Sequence, residues 1–275
     1  MFHVRKIESF DLPELEPYRT MRRPAEHHTR GIFVAEGEKV VRRLLASDFE
    51  VFSVLLPQKW LSEYEPLIRA RPEKDISVFT AELPLLETLV GFPLFQGVLA
   101  IGRIPHRRAL AEILEHSAKP NLFVAVDGIA NAENIGTIVR NCAAFGVQAL
   151  IVSESSSSPF LRRAVRNSMG TIFQLPIIEI TTLATALNEL KAKNIHLIAA
   201  HPHVNGRTLG DADFAKDCCI VFGSEGTGLS PEILELCDDT VAIPMAPEID
   251  SLNVNAAAAV FLYEVNRQRT FGERR

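Results

Sequence analysis

The sequence predicts an α/β protein in two parts, a small α/β domain followed by a larger one on a parallel sheet, and three observations carry that expectation. At 275 residues the chain exceeds the usual size of one domain, with a single large α/β domain as the alternative. From residue 121 onward, short apolar runs alternate regularly with helical stretches. Those runs are continuous rather than mixed with polar residues, as expected of strands covered on both faces of a parallel sheet.

Taken in order, residues 31 to 101 alternate apolar runs with amphipathic stretches: "GIFVAE", helix-like "EKVVRRLLAS", "EVFSVLL", "ISVF", "TAELPLLETLV" and "QGVLAIG". These place a small α/β domain, with an amino-terminal extension, in residues 1–105. The charged segment "RIPHRRALAEILEHSAKP", with prolines near both ends, makes 106–119 the expected linker, partly helical. The second domain, 120–275, opens with strand "LFVAVD" and a helix through "NIGTIVRNCAAFG". It continues with strand "ALIVSE", the serine-rich "SESSSS" as a flexible loop, a helix at "PFLRRAVRNSMG", strand "TIFQLPI" and helix "LATALNELKAKN". Strands "IHLIAA", "CCIVFG" and "TVAIPM" and a last helix complete it.

Composition narrows the function. Hydrophobic residues make up 47% and charged residues 23%, as in a globular protein rather than a disordered one. The amino terminus lacks an apolar core of signal-peptide length and no run approaches a membrane span, so a cytoplasmic location is expected. The four cysteines form no C-x-x-C pair and read as reduced core thiols; the histidines form no H-E-x-x-H, and "HPH" at 201–203 sits in an expected loop. No metal is expected. A net charge of -5 argues against broad nucleic-acid binding, yet four basic islands (19–30, 102–108, 161–166 and 266–275) leave room for a focused polyanion site beside the plainer reading of solvated surface.

Ligands of an open parallel sheet bind outside the carboxyl ends of the strands, which directs attention to three loops. In "DGIANAENIGTIVR", Asn134 is placed to cap the helix, and Arg140, about a turn and a half on, is within reach of an anion near the loop. "FGSEGTGLSPE" has glycines at 223, 226 and 228, which match neither the dinucleotide fingerprint nor a Walker loop. It reads as a turn with free amides around Glu225, followed by a helix start at Ser230-Pro231-Glu232. The third, "PMAPEIDSLNVNAAAAVF", packs Ser251, Asn253 and Asn255 where a strand gives way to a helix. Capping by Asn253 accounts for part of it and leaves Ser251 unexplained.

Together "NIGTIVRNCAAFG", "FGSEGTGLS" and "IPMAPEIDSLNVNAAAAVFLYE" resemble, in order and spacing, the three motifs of the SpoU (TrmH-like) RNA 2′-O-ribose methyltransferases of the SPOUT superfamily. The resemblance covers roughly 120 to 267, and "RRAVRNSMGTIFQLPI" fits the intervening segment. The amino-terminal part looks like an L30e-like substrate-binding domain, through "FVAEGEKVV" and "FQGVLAIGR". The resemblance implies a carboxy-terminal trefoil knot, S-adenosylmethionine as methyl donor, tRNA or rRNA as substrate, and a homodimer through the knotted domain. Carried over by position, Asn134, Arg140, Glu225, Ser251 and Asn253 fall on catalytic and RNA-facing positions. Phe222, Gly223, Gly228, Ile243, Met245, Ser251 and Leu252 fall on the cofactor site, with Gly223, Ile243 and Leu252 using their backbones. The chain departs from the pattern at "NAEN", where an Asp-Pro pair is usual, and at Asn255, where a second serine is common.

Methyl transfer to a ribose hydroxyl demands in-line alignment and removal of a proton. The resemblance makes Arg140 the base, but a guanidinium resists deprotonation, so phosphate clamping and hydroxyl orientation suit it better. Loop or single-stranded RNA, whose riboses are accessible, fits such a site, with binding that weakens as salt rises. The alternative reading is a non-catalytic RNA-binding protein that retains the knotted fold. A small-molecule α/β enzyme comes behind it, since the nucleotide fingerprint is missing.

Overall fold

Apolar runs such as Leu122–Val126 and Cys218–Phe222, buried at every residue, need a sheet covered on both faces. The computed structural model describes residues 2–90, 97–202 and 207–271 and provides such a sheet. Phe95 and Gln96 of "FQGVLAIGR", His203 of "HPH" and residues 272–275 of the last basic island lie outside the described residues. By contacts the chain forms two compact units, Met1–His106 with Phe160–Gln174, and Arg107–Pro159 with Leu175–Arg275.

In the first unit the main-chain stretch contributes β1 (His3–Lys6), α1 (Glu16–Arg19), α2 (Pro24–Thr29), β2 (Ile32–Glu36), α3 (Glu38–Leu45), β3 (Val51–Pro57), α4 (Leu61–Arg69), β4 (Ser77–Ala81), α5 (Leu83–Val90) and β5 (Leu99–Arg103). The strands form a mixed sheet in the order β1-β4-β3-β5-β2, in which β5 alone runs against the direction of the other four. Its core gathers Tyr18, Leu55, Phe79 and Leu99, with the Tyr18 hydroxyl hydrogen-bonded to Ser53 Oγ at 2.8 Å.

The second unit begins with α6 (Leu110–His116), whose Leu110 and Ile113 enter its core, within the segment expected as a linker. There follow β6 (Leu122–Val126), α7 (Ala132–Ala144) and β7 (Ala149–Ser153). The chain then supplies α8 (Arg162–Asn167) to the first unit and returns as β8 (Ile177–Ile180), α9 (Leu183–Ala192), β9 (His196–Ala200), β10 (Arg207–Thr208), β11 (Cys218–Phe222), α10 (Pro231–Leu236), β12 (Asp239–Ala242) and α11 (Val254–Phe271). The sheet order is β10-β12-β9-β11-β6-β7-β8, parallel at every pairing. On one face Phe123, Ile151 and Val221 pack with Leu187 of α9, Ile233 of α10 and Leu110. On the other, Phe222 meets Phe261 of α11 edge-on with ring centroids 5.6 Å apart, and α11 packs on α7. The cysteines Cys142, Cys218 and Cys219 are free and buried, and burial pushes the Cys218 thiol up to about 11.

The stretch "TIFQLPI" corrects the sequence reading. Thr171–Phe173 forms a 3-10 turn, and the strand starts only at Ile177, after Pro176, which has no N–H for a ladder. Phe173 instead joins Phe33, Phe49 and Phe160 in an aromatic cluster of the first unit, 5.6 Å from Phe33 and 5.2 Å from Phe49. The same segment accounts for one basic island. Arg162 and Arg166 both donate to the buried Glu36 carboxylate at the end of β2, the latter at 2.8 Å. In another island, Arg269 donates to the carbonyls of Pro120, Asn121, Phe214 and Lys216 at 2.7 to 2.9 Å, fastening α11 to the starts of β6 and β11.

Candidate active site

Parallel strands bring their carboxyl ends to one edge of the sheet, and β12, β9 and β11 lie side by side there. A cavity of about 380 Å³ opens at this edge, within the roughly 300–1,000 Å³ range of small-molecule sites. Its walls are the ends of β9 and β11, the glycine loop from Gly223 to Gly228, Ile243 and Met245 beyond β12, Asp250 to Leu252, and Val254, Ala257 and Phe261 of α11. All seven residues expected at the cofactor site therefore line one cavity, together with Glu225.

The glycine loop is a tight reversal. Ser224 and Gly228 exchange backbone hydrogen bonds of 3.1 and 3.0 Å, and the Ser224 hydroxyl accepts from the Thr227 N–H at 3.0 Å. A Cβ on Gly223 would stand 2.3 Å from the backbone of Gly228, so only glycine fits there. Gly228 itself has φ +66°. The helix that follows starts as the sequence indicated, with Ser230 Oγ accepting from the Ile233 N–H at 3.3 Å and Pro231 in first position.

Asn134 does not cap α7. Asn131, extended and one residue before the helix, takes that place by accepting from the Glu133 N–H at 2.8 Å. Asn134 lies inside the first turn, buried, and belongs to a closed hydrogen-bond ring. Its Nδ2 donates to Glu225 Oε1 at 2.7 Å, and Asn253 Nδ2 donates to the same oxygen at 2.6 Å. Asn255 completes the ring, giving its side-chain N–H to Asn134 Oδ1 and its backbone N–H to Asn253 Oδ1, each at 3.0 Å. Asn253 thus caps α11 and engages Glu225 at once.

Two expected residues stand outside this ring. Ser251 is exposed on the cavity wall, and its hydroxyl has no hydrogen-bond partner among the described residues. Arg140 is exposed on α7 and does not line the cavity. Six residues at roughly 100° each turn it about 120° around the helix from Asn134. Asn141, one residue further, returns to the ring side and donates to the Asn255 carbonyl at 2.9 Å.

The sequence reading missed Asn255 as the partner of Asn134, Asn141 as the partner of Asn255, and also the stretch Ala200 to Pro202. That stretch follows a parallel strand, so the rule that selected the other three loops applied to it as well. The serine-rich segment is no idle loop. Ser155 Oγ accepts from the Gly128 N–H at 3.0 Å and donates to Asp127 at 2.7 Å, and Ser156 Oγ accepts from the Ile129 N–H at 3.1 Å, bracing the entry to α7.

Comparison with known proteins agrees with this geometry. The family described as SpoU rRNA Methylase matches residues 121–263. An uncharacterized tRNA/rRNA methyltransferase of Mycobacterium bovis is 32% identical over 271 residues, covering 96% of this chain and 92% of the relative. The 23S rRNA (guanosine-2′-O-)-methyltransferase RlmB of Acinetobacter baylyi is 35% identical over 199 residues, or 70% of this chain and 79% of that one. Among solved structures, the SpoU methyltransferase AviRb of Streptomyces viridochromogenes, in complex with AdoMet, superposes with a TM-score of 0.81 at 25% identity, covering 94% of this chain and 99% of that one. With a glycine loop, a terminal polar loop and a first-helix asparagine gathered at one sheet edge, and with relatives matched over nearly the full length, the chain belongs to the SpoU rRNA methylase family.

Proposed function

We propose that this protein transfers a methyl group from S-adenosylmethionine to a ribose 2′-hydroxyl of tRNA or rRNA. The observation that carries the reading is the cavity between the glycine loop and the 243–254 stretch, with the Asn134–Glu225–Asn253 cluster at its edge. AdoMet is bound by the AviRb relative, and guanosine 2′-O-methylation is the activity named for the Acinetobacter relative. The cavity suits such a cofactor: Gly223 admits a ligand close to the backbone, and Ile243, Leu252 and Phe261 offer apolar surface. The cofactor supplies an electrophilic methyl group. Glu225, with one oxygen held by two amides, and the exposed Ser251 hydroxyl are then the groups that meet the ribose. Arg140 clamps a phosphate, as a guanidinium does well.

A second copy of the chain completes the site. Val260 and Tyr263, 38% and 59% exposed, lie near one face of α11, and Ile249 and Leu252 are exposed in the loop before it. A dimer through this apolar surface accounts for both features, and a knotted arrangement of the two cavity loops is part of the proposal. The first unit is the RNA-binding part. Arg162, Arg166 and Arg269 are engaged within the protein, which leaves the islands at 19–30 and 102–108, where Arg19, Arg22, Arg23, Arg30, Arg103, Arg107 and Arg108 are exposed, as basic surface for RNA. No helix among the described residues is long and apolar enough to cross a membrane.

The test is incorporation of label from S-adenosylmethionine into RNA lacking the modification, followed by digestion and nucleoside mass analysis. A 2′-O-methylated nucleoside is expected. Cofactor and RNA binding without incorporation would instead support a non-catalytic RNA-binding protein.

A further inference from the structure

We infer that Asn255 is a positioning residue that anchors the two amides holding Glu225. The inference rests on the methyltransferase reading for its consequence in turnover, and on the ring itself for its geometry. A side-chain amide has a donor end and an acceptor end, and its orientation is fixed by whichever neighbour can only donate or only accept. Glu225 Oε1 takes an N–H from Asn134 and another from Asn253. The carboxylate only accepts and so draws the donor end of each amide, while the oxygen at the other end of each is held by one donor, in both cases Asn255. The side-chain N–H of Asn255 fills Asn134 Oδ1, and its backbone N–H fills Asn253 Oδ1. Asn255 is anchored in turn, since Asn141 Nδ2 donates to its carbonyl at 2.9 Å.

A serine at this position has a hydroxyl that donates as well, but it is shorter. The side-chain amide of Asn255 spans the gap to a buried Asn134 while its carbonyl stays with Asn141. Asn255 and Asn134 do not line the cavity and Glu225 does. The effect of Asn255 is therefore indirect: loss of its side-chain N–H leaves the buried Asn134 oxygen without a donor, the Asn134 amide loses its anchor, and the carboxylate it holds shifts from its place at the cavity wall.

The decisive variants keep the shape and remove the donor. Asn255→Asp and Asn255→Leu should each lower kcat by about 100-fold, the scale of a misplaced reacting group, with the KM for S-adenosylmethionine held within about twofold. Asn255→Ser, which retains a donor, should recover part of the rate. Adding Asn134→Ala to Asn255→Leu should cost little more, since both act through one carboxylate. A kcat for Asn255→Asp near that of the unmodified chain, losses that add, or a KM rising in step with the fall in kcat would each overturn the assignment. Side-chain amide resonances of Asn134 and Asn253, followed by NMR in the full chain, separate this inference from the functional one. The Asn134 resonances should move in Asn255→Leu whether or not RNA is methylated, and more than those of Asn253, which keeps the backbone N–H of residue 255; unmoved Asn134 resonances would overturn the ring. If the unmodified chain itself methylates no RNA while the resonances shift, the methyltransferase reading falls and the positioning role stands.

Discussion

The two units use their polar side chains for opposite ends. In the first, Glu36 sits almost wholly buried with Arg162 and Arg166, and the three hold a segment from late in the sequence against β2. In the second, Glu225 lines an open cavity and Asn134, Asn253 and Asn255 stand behind it, where the same kind of hydrogen bonding fixes the orientation of groups. The comparison teaches that a charged pair taken out of water mainly governs stability, whereas a ring at a cavity edge mainly governs geometry.

Variants can break that distinction. The largest effect is expected from Glu36→Ala, which leaves the half-buried Arg162 without its carboxylate and should remove about 3 kcal/mol of stability, read from urea unfolding. Cofactor affinity should hardly change; a parallel loss of both would show that the units are not energetically separate. Asn253→Ala comes next, with methyl transfer reduced by about 100-fold against about 1 kcal/mol of stability for the lost helix cap. Equal losses in turnover and folding would reduce Asn253 to a cap alone.

Gly223→Ala forces a methyl group into the backbone of Gly228 and should weaken S-adenosylmethionine binding by about 2 kcal/mol, roughly 30-fold by calorimetry. Normal binding would mean that the loop relaxes and that its close approach is not required. The smallest effect concerns pH. Burial, joined by Arg30, holds the His27 ring below its ordinary 6.5, so its contribution in the first unit is complete above that pH and is lost as pH falls through the lower folded value. The hydrogen bond from Arg267 holds Glu264 below its ordinary 4.5, so the contribution near the end of α11 is complete above 4.5 and is lost only on further acidification. Amide protection, taken relative to the intrinsic exchange rate at each pH, should therefore fall around α2 before it does around α11 as pH is lowered, and simultaneous loosening would contradict the order.

Much of the second unit was legible residue by residue. The parallel sheet followed from unbroken apolar runs, and the glycine loop and the Ser230-Pro231 helix start follow from turn and cap chemistry confined to a few neighbours. The first unit was less so. Its strands β2 to β5 match apolar runs, but β1 is exposed at each of its four residues and carries only Val4 as an apolar one, so no periodicity marked it. Asn131 and Asn134 illustrate the limit at the site. Both are asparagines at the mouth of one helix, and a shift of one turn in where the helix begins exchanges the cap for the residue that meets Glu225.

The sequence by itself determined most elements of the second unit, three of the four loops that line or flank the cavity and the family they mark, because periodicity, turns and caps are properties of neighbouring residues. The tertiary structure alone decided that Asn255 meets Asn134 across 121 positions, that Phe160–Gln174 packs with the first unit, and that Arg140 turns to a different side of its helix from the asparagine that meets Glu225. Each of those depends on how distant segments pack and in what register, and a pairing between distant side chains leaves no periodic trace in the chain that makes it.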